Sequence, residues 1–111
     1  MKDCRPSDTA LGASVIRTVH QLIDRPPLIL EDPISPLVLS KRAIERIKRN
    51  SARHQTPKAR GLRSHVVLRG RYAEDELQQA VVSGVSQYII LGAGFDTFSL
   101  RQPWWAKGLR I

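Results

Sequence analysis

Cysteine is nearly absent from this sequence: Cys4 is the only one in 111 residues. A single thiol excludes an internal disulfide and any cysteine-built zinc site, and it fits a reducing cytoplasm. Cys4 is flanked by charged residues and reads as incidental rather than nucleophilic. Histidine is scarce and scattered, at His20, His54 and His65, so neither a metal site nor a catalytic constellation is predicted. Long apolar runs are missing too. Nothing approaches the roughly 20 residues needed to cross a bilayer, and the first eight residues hold no signal-peptide core. The expected protein is soluble and cytoplasmic, with no membrane span. Internal repeats and low-complexity tracts are also absent.

Acids are outnumbered, 10 against 18 lysines and arginines, giving a net charge of +8 and a pI near 10.6. Between Lys41 and Arg71 the basic residues are Lys41, Arg42, Arg46, Lys48, Arg49, Arg53, Lys58, Arg60, Arg63, Arg69 and Arg71, against the early acid Glu45. Such a concentration could attract nucleic acid or an anionic membrane surface. A solvated helix face followed by a basic loop is the simpler and preferred reading. Nucleic-acid binders usually add aromatic stacking residues or a recognisable module. Neither occurs among these arginines, so nucleic acid is not an expected partner, and a small basic binding module using the Lys41–Arg71 cluster stays as the alternative function. The length bounds the chain at one domain. At 41% apolar and 25% charged it is globular in composition, yet short for an open α/β nucleotide-binding domain.

Ser7 is a natural N-cap for a helix from about Asp8 to Asp24, with Asp8 favourable to the helix dipole. Leu11, Val15, Val19, Leu22 and Ile23 give it an apolar face, and Arg25-Pro26-Pro27 stops it. Leu28-Ile29-Leu30 leads into the turn-like Glu31-Asp32-Pro33. Pro36 suits the first turn of a second helix, with Leu37, Val38, Ile44 and Ile47 inward. The text from Asn50 to Arg63 reads as an exposed, mobile basic loop. Helical periodicity returns at Leu62, Val66 and Val67, pauses at Arg69-Gly70-Arg71, and resumes through Ala73, Leu77, Ala80 and Val81 until Gly84 ends it. Tyr88 to Leu91 is then a strand whose unbroken apolar character suits burial on both faces of a parallel sheet. Leu109-Arg110-Ile111 starts a second strand.

The strand runs into Gly92-Ala93-Gly94-Phe95-Asp96-Thr97. Glycines at 92 and 94 permit a tight turn and close approach of a ligand to the backbone amides. A glycine pair after an apolar strand is also how ordinary tight turns are made, so G-x-G by itself leaves both readings open. The wider string, Gln87-Tyr-Ile-Ile-Leu-Gly-Ala-Gly-Phe-Asp-Thr97 with Leu100-Arg101, closely resembles the first motif of the leucine carboxyl methyltransferase-like family. These are class I methyltransferases that use S-adenosylmethionine. The acid in place of the third fingerprint glycine argues against a dinucleotide enzyme. Upstream, Ser7-Asp8-Thr9-Ala10 with Arg17 resembles the family's N-terminal pattern. Glu31-Asp32-Pro33 resembles its Asp-Pro turn, and Arg69-Gly-Arg71-Tyr72-Ala-Glu74-Asp75 resembles its arginine-aromatic-acid segment. The resemblance covers roughly residues 7 to 111.

This resemblance implies an α/β fold: the N-terminal part of a Rossmann-like class I methyltransferase, mostly helical here, with one complete strand and the start of a second. Residues 1–84 would form a helical N-terminal cap segment, and residues 85–111 the first strand, the cofactor turn and the start of the second strand. Gly92, Ala93 and Gly94 would line the methionine portion of S-adenosyl-L-methionine, with Asp96 beside them. Arg69 would pair with the cofactor carboxylate, and Arg71 is the alternative if the register is off by two. Arg17 would serve a structural ion pair. Trp104-Trp105 would pack around the turn or meet a partner. The implied activity is O-methyl or carboxyl methyl transfer to an unknown acceptor. The acid expected to hold the ribose hydroxyls, about 20 residues after the glycine turn, would fall just beyond Ile111. An N-terminal fragment of this kind is expected to be inactive alone. Its unpaired strand edges favour self-association or aggregation.

Overall fold

The computed structural model describes residues 6–111; the reading of Cys4 lies outside them. Helix α1 spans Asp8–Ile23, and the Ser7 side chain caps it by accepting a hydrogen bond from the Ala10 amide at 3.1 Å. Its buried face is more polar than the apolar periodicity predicts. Ser14, Thr18, Val19 and His20 are buried, whereas Leu11 is 44% exposed. Part of this face meets the segment around Asp32: the His20 ring takes the Leu30 amide, and Arg17 stands 3.8 Å from the Asp32 carboxylate. Gln21 holds that segment to α1, donating to the Leu30 carbonyl and accepting from the Asp32 amide, each at 2.9 Å.

The expected second helix is two helices. A short α2 (Ser35–Val38) carries Pro36 in its first turn and stops where Leu39 is extended. Ser40 then caps α3 (Lys41–Arg49) through the Ala43 amide. Serine competes well as a cap because its hydroxyl replaces a missing backbone acceptor. Residues 50–63, predicted as a loop, are instead a 3₁₀ turn at Ser51–Gln55 and the start of α4 (Pro57–Val82), capped by Thr56 with Pro57 at its first position. Helix α4 runs 26 residues without the predicted pause. Gly70 is where it makes room for a neighbour: a Cβ there would meet Leu30 Cδ2 at 3.0 Å. Arg63, predicted at the end of that loop within the basic cluster, is 5% exposed. It grips Asp24 through two 2.8 Å hydrogen bonds and donates to the His54 carbonyl, so α4, the end of α1 and the 3₁₀ turn are held together.

Helix α4 ends as expected at Gly84, at φ 102°. The Gly84 amide donates to Val81 and the Val85 amide to Ala80, the paired bonds of a Schellman cap. The expected strand over Tyr88–Leu91 does not form among the described residues. One isolated parallel bridge joins Gln87 to Arg110, with Tyr88 N–H donating to the Arg110 carbonyl and Arg110 N–H to the Ser86 carbonyl. Nor is the segment covered on both faces: Ile89 is 69% and Leu91 88% exposed. A parallel ladder needs neighbouring strands and helices over its faces, and the Arg110 segment supplies one contact point. Beyond the glycine turn, α5 (Phe98–Arg101) and a 3₁₀ turn at Trp104–Ala106 complete the order. Phe98, Ala106, Leu109 and Leu77 of α4 form a small core, joined by Tyr88 and Trp105. Phe98 meets Tyr88 edge-on at 5.6 Å and Trp105 at 5.9 Å. Trp105 thus packs as expected, while Trp104 is 78% exposed.

Candidate functional site

The residues of the four separate motifs converge on Asp32, which is fully buried. One carboxylate oxygen accepts from the amides of Ile34 and Ser35, at 3.2 and 3.0 Å. The other accepts from the Ser35 hydroxyl and, at 2.7 Å, from the Thr97 hydroxyl. Arg17 and Arg101 stand within ion-pair range at 3.8 and 3.6 Å. Burial pushes this carboxyl up, but the hydrogen bonds from Ser35 and Thr97 and the nearby Arg101 charge outweigh it, and the net shift is downward. Asp32 is therefore a carboxylate that ties the Asp-Pro turn to the end of the glycine turn.

Arg101 extends the network to α4. Its guanidinium takes both oxygens of Glu74, one at 3.1 Å, while its Nε donates to Thr97. Burial works against the charged guanidinium, but the Glu74 hydrogen bonds and the surrounding carboxylates raise its pKa further above the ordinary value. Arg17 of α1 donates to the carbonyl of Phe95 inside the turn. With its Asp32 partner, it does the structural work the sequence suggested. Along that face of α1, the Ser14 and Thr18 hydroxyls and the Arg17 Nε are buried without hydrogen-bond partners.

Gly92 and Gly94 have φ of 62° and 53°, the left-handed region that residues with a Cβ enter only at a cost. Gly94 also lies against α1, where a Cβ would meet that of Ala10 at 3.1 Å. The turn closes through Asp96 N–H donating to Ala93, and the Asp96 carboxylate then accepts from the Phe98 amide at 2.9 Å. Asp96 shapes the start of α5.

A cavity of about 320 Å³ opens beside this turn, lined by Arg17, Arg69, Tyr88, Asp96, Phe98 and Arg101 among others. Burial, with Asp96 and Glu74 nearby, pushes the Tyr88 phenol up and keeps it protonated. The structure thus brings Arg69 and Asp96 to one cavity. Gly92, Ala93 and Gly94 are exposed beside it and are not part of its lining. Arg69 has no carboxylate partner among the described residues. Arg71 pairs with Asp75, which raises its pKa, and it lines a neighbouring cavity of about 420 Å³ with Glu31, Asp75 and Trp105. Sequence reasoning quoted Asp32, Glu74, Thr97 and Arg101 as motif letters without seeing that they touch. The pattern that could have found them is opposite charge: two arginines and two acids recurring in the motifs of a chain otherwise short of acids. No group of three His, Cys, Asp or Glu arranged to hold a metal ion occurs among the described residues, and none of their helices is long and apolar enough to cross a membrane.

A left-handed glycine turn thus opens beside a small cavity lined by an arginine without a carboxylate partner among the described residues and by an acid. The comparisons with known proteins are more particular. The profile of the leucine carboxyl methyltransferase family matches residues 10–111, and the chain belongs to that family. A protein of Mycobacteroides abscessus is 32% identical over 102 residues, covering 86% of this chain and 31% of the relative. One from a Parafrankia species is 29% identical over 98 residues, with the same coverage of both chains. One from Streptomyces avermitilis is 44% identical over 46 residues, 41% of this chain and 16% of the relative. All three are provisionally named S-adenosyl-L-methionine-dependent methyltransferases, which makes S-adenosyl-L-methionine the cofactor of this group. The chain spans less than a third of the length of these relatives (31% at most). No solved structure gives a significant match to the chain.

Proposed function

We propose that this chain carries the methionine-end portion of an S-adenosyl-L-methionine site in a methyltransferase acting on an oxygen, a carboxylate among the candidates, of an acceptor still to be found. The observation that carries it is Arg69: a guanidinium without a carboxylate partner among the described residues, facing the same cavity as Asp96. Guanidinium holds a carboxylate through two parallel hydrogen bonds, and the methionine end of the cofactor presents one. The left-handed turn at Gly92 and Gly94 would let the ligand approach its amides, and Asp96 could accept from an amino group. When bound, the cofactor supplies an activated methyl group. This chain's residues would orient its amino-acid end, and Tyr88 and Phe98 would keep water from one wall. Methyl transfer depends on holding the acceptor at attack distance from that methyl, and no residue here is assigned to the acceptor.

In the same reading the Gln87–Arg110 bridge is where a parallel, Rossmann-like sheet begins, with Tyr88–Leu91 and Leu109–Ile111 as adjacent strands once further strands pair with them. The reading includes a cytoplasmic location, supported by the single cysteine. A cofactor grasped only at its amino-acid end loses the contacts to ribose and adenine. The 111-residue chain alone is therefore expected to bind S-adenosyl-L-methionine weakly or not at all, and to lack methyl transfer. Calorimetry with S-adenosyl-L-methionine checks the first point, and micromolar binding by the chain alone would refute it. The role of Arg69 is checked in a longer protein containing this segment: Arg69→Ala should weaken cofactor binding about tenfold or more, the worth of a charged hydrogen-bonded pair, while Arg71→Ala leaves it near wild type.

A further inference from the structure

Among the described lysines and arginines, those in ion pairs stand apart from a run of unpaired ones on and after α3. Arg17, Arg63, Arg71 and Arg101 are in ion pairs. Lys41, Arg42, Arg46, Lys48, Arg49, Arg53 and Lys58 are all exposed, and none has a carboxylate partner among the described residues. Five of these belong to α3, whose other side carries half-buried Ala43 and Ile44 and the 5%-exposed Ile47. By helical periodicity, Lys41 and Lys48 share one flank of the exposed ridge and Arg42 and Arg46 the other. Glu45 and Arg49 run along the crest between them. Arg53 and Lys58 continue the unpaired cations into the 3₁₀ turn and the first turn of α4.

From this arrangement we propose that α3 is a docking ridge for double-stranded DNA, a partner that does not depend on the methyltransferase reading. A major groove admits one helix between two phosphate backbones, and two cationic flanks are what such a cleft requires. Flank cations would meet phosphates and position the helix without reading sequence. Glu45, at the crest, would face base edges, where a carboxylate can accept from a cytosine amino group. Against a flat anionic lipid surface the same carboxylate would be pressed onto like charge. Single strands are disfavoured for another reason: residues 41–60 contain no Phe, Tyr or Trp, and base stacking supplies much of single-strand binding.

The test uses the 111-residue chain and a fluorescein-labelled mixed-sequence DNA duplex of about 20 base pairs, starting at about 50 mM salt and rising. Binding that falls steeply with salt is expected. The Lys41→Gln/Arg42→Gln/Lys48→Gln variant should bind about tenfold weaker or worse, with the salt slope reduced by about 2 to 3. Lys107→Gln, away from the ridge, should leave binding unchanged. Circular dichroism checks the triple variant's fold. If it unfolds, the single change Lys48→Gln, which should lower the slope by about 1, decides the matter. No duplex binding at about 50 mM salt, equal affinity for the single strand, or indifference to these substitutions would overturn the proposal. So would co-sedimentation with phosphatidylserine–phosphatidylcholine vesicles while duplex stays free, an outcome that would give the ridge to a lipid surface instead.

Discussion

Asp32 is the residue on which the described structure depends most. It is fully buried, accepts four hydrogen bonds and answers two arginines from different helices. Removing the charge leaves Arg17 and Arg101 facing a neutral group in a water-poor setting, and losing one partner of a buried pair typically costs about 3 kcal/mol or more. Asp32→Asn should therefore lower unfolding stability by about that amount in urea titration. Thr97→Val, which removes one donor to the same carboxylate, should cost about 1 kcal/mol. Equal small effects would show that the network is incidental. Arg63 shows the same logic at the other end of α4: its two bonds to Asp24 are the main cause lowering that carboxyl, with His20 adding to it.

At the scale of elements, the glycine turn is specified by backbone conformation and close approach together. Gly92→Ala meets open space but keeps φ at 62°, at a cost of about 1 kcal/mol. Gly94→Ala adds a 3.1 Å approach to Ala10 and should be the more damaging, read as a lower urea midpoint and looser contact with α1. The reverse order would refute this account of the turn. Helix α4 shows why element boundaries misled the sequence reading. Propensity alone suggests a pause at Gly70, but an isolated helical glycine costs only about 1 kcal/mol, and Leu30 packs into the space it leaves. The Asn50–Arg63 text resembled a loop because it is polar, yet Thr56 and Pro57 form a proper helix start and Arg63 is fixed by Asp24.

At the largest scale the described residues form a flat body, 45 × 44 × 21 Å, with a radius of gyration of 15.2 Å against about 13 Å for a compact domain of this length. Beyond α4, Ile89, Leu91, Leu100 and Trp104 are each more than two-thirds exposed. We propose that the isolated chain self-associates through the Ile89–Leu91 edge. Size-exclusion profiles should broaden with concentration, and Ile89→Lys/Leu91→Lys should shift them toward monomer. A concentration-independent monomer would exclude it. Stability should also decline on acidification in two stages. His54 is held below its ordinary 6.5 by burial, Arg63 and Arg53. The unfolded chain then takes up this proton first, and stability starts to fall as pH drops through about 6.5. Asp24 and Asp32 lie below 3.8 when folded. Their contribution is intact above about pH 4 and is lost as pH falls through the lowered folded values. Urea midpoints across pH, with His54→Gln removing the upper stage, check the order.

Family, cofactor class and the caps at Ser7 and Gly84 were legible in the sequence because each is written locally. Ser7 caps whatever follows it, Gly84 ends a helix by its own φ, and a glycine-acid string after an apolar run keeps its spacing in any context. Tertiary structure decided the rest. It set Arg69 in the cavity beside the glycine turn and Arg71 in the neighbouring one, turned Asp32, Glu74, Thr97 and Arg101 from motif letters into one connected network, and left Ile89 and Leu91 exposed with a single bridge at Gln87. These are long-range outcomes. Whether a charge is buried or a strand forms depends on which partners the chain brings to it, and neighbouring residues do not encode that choice.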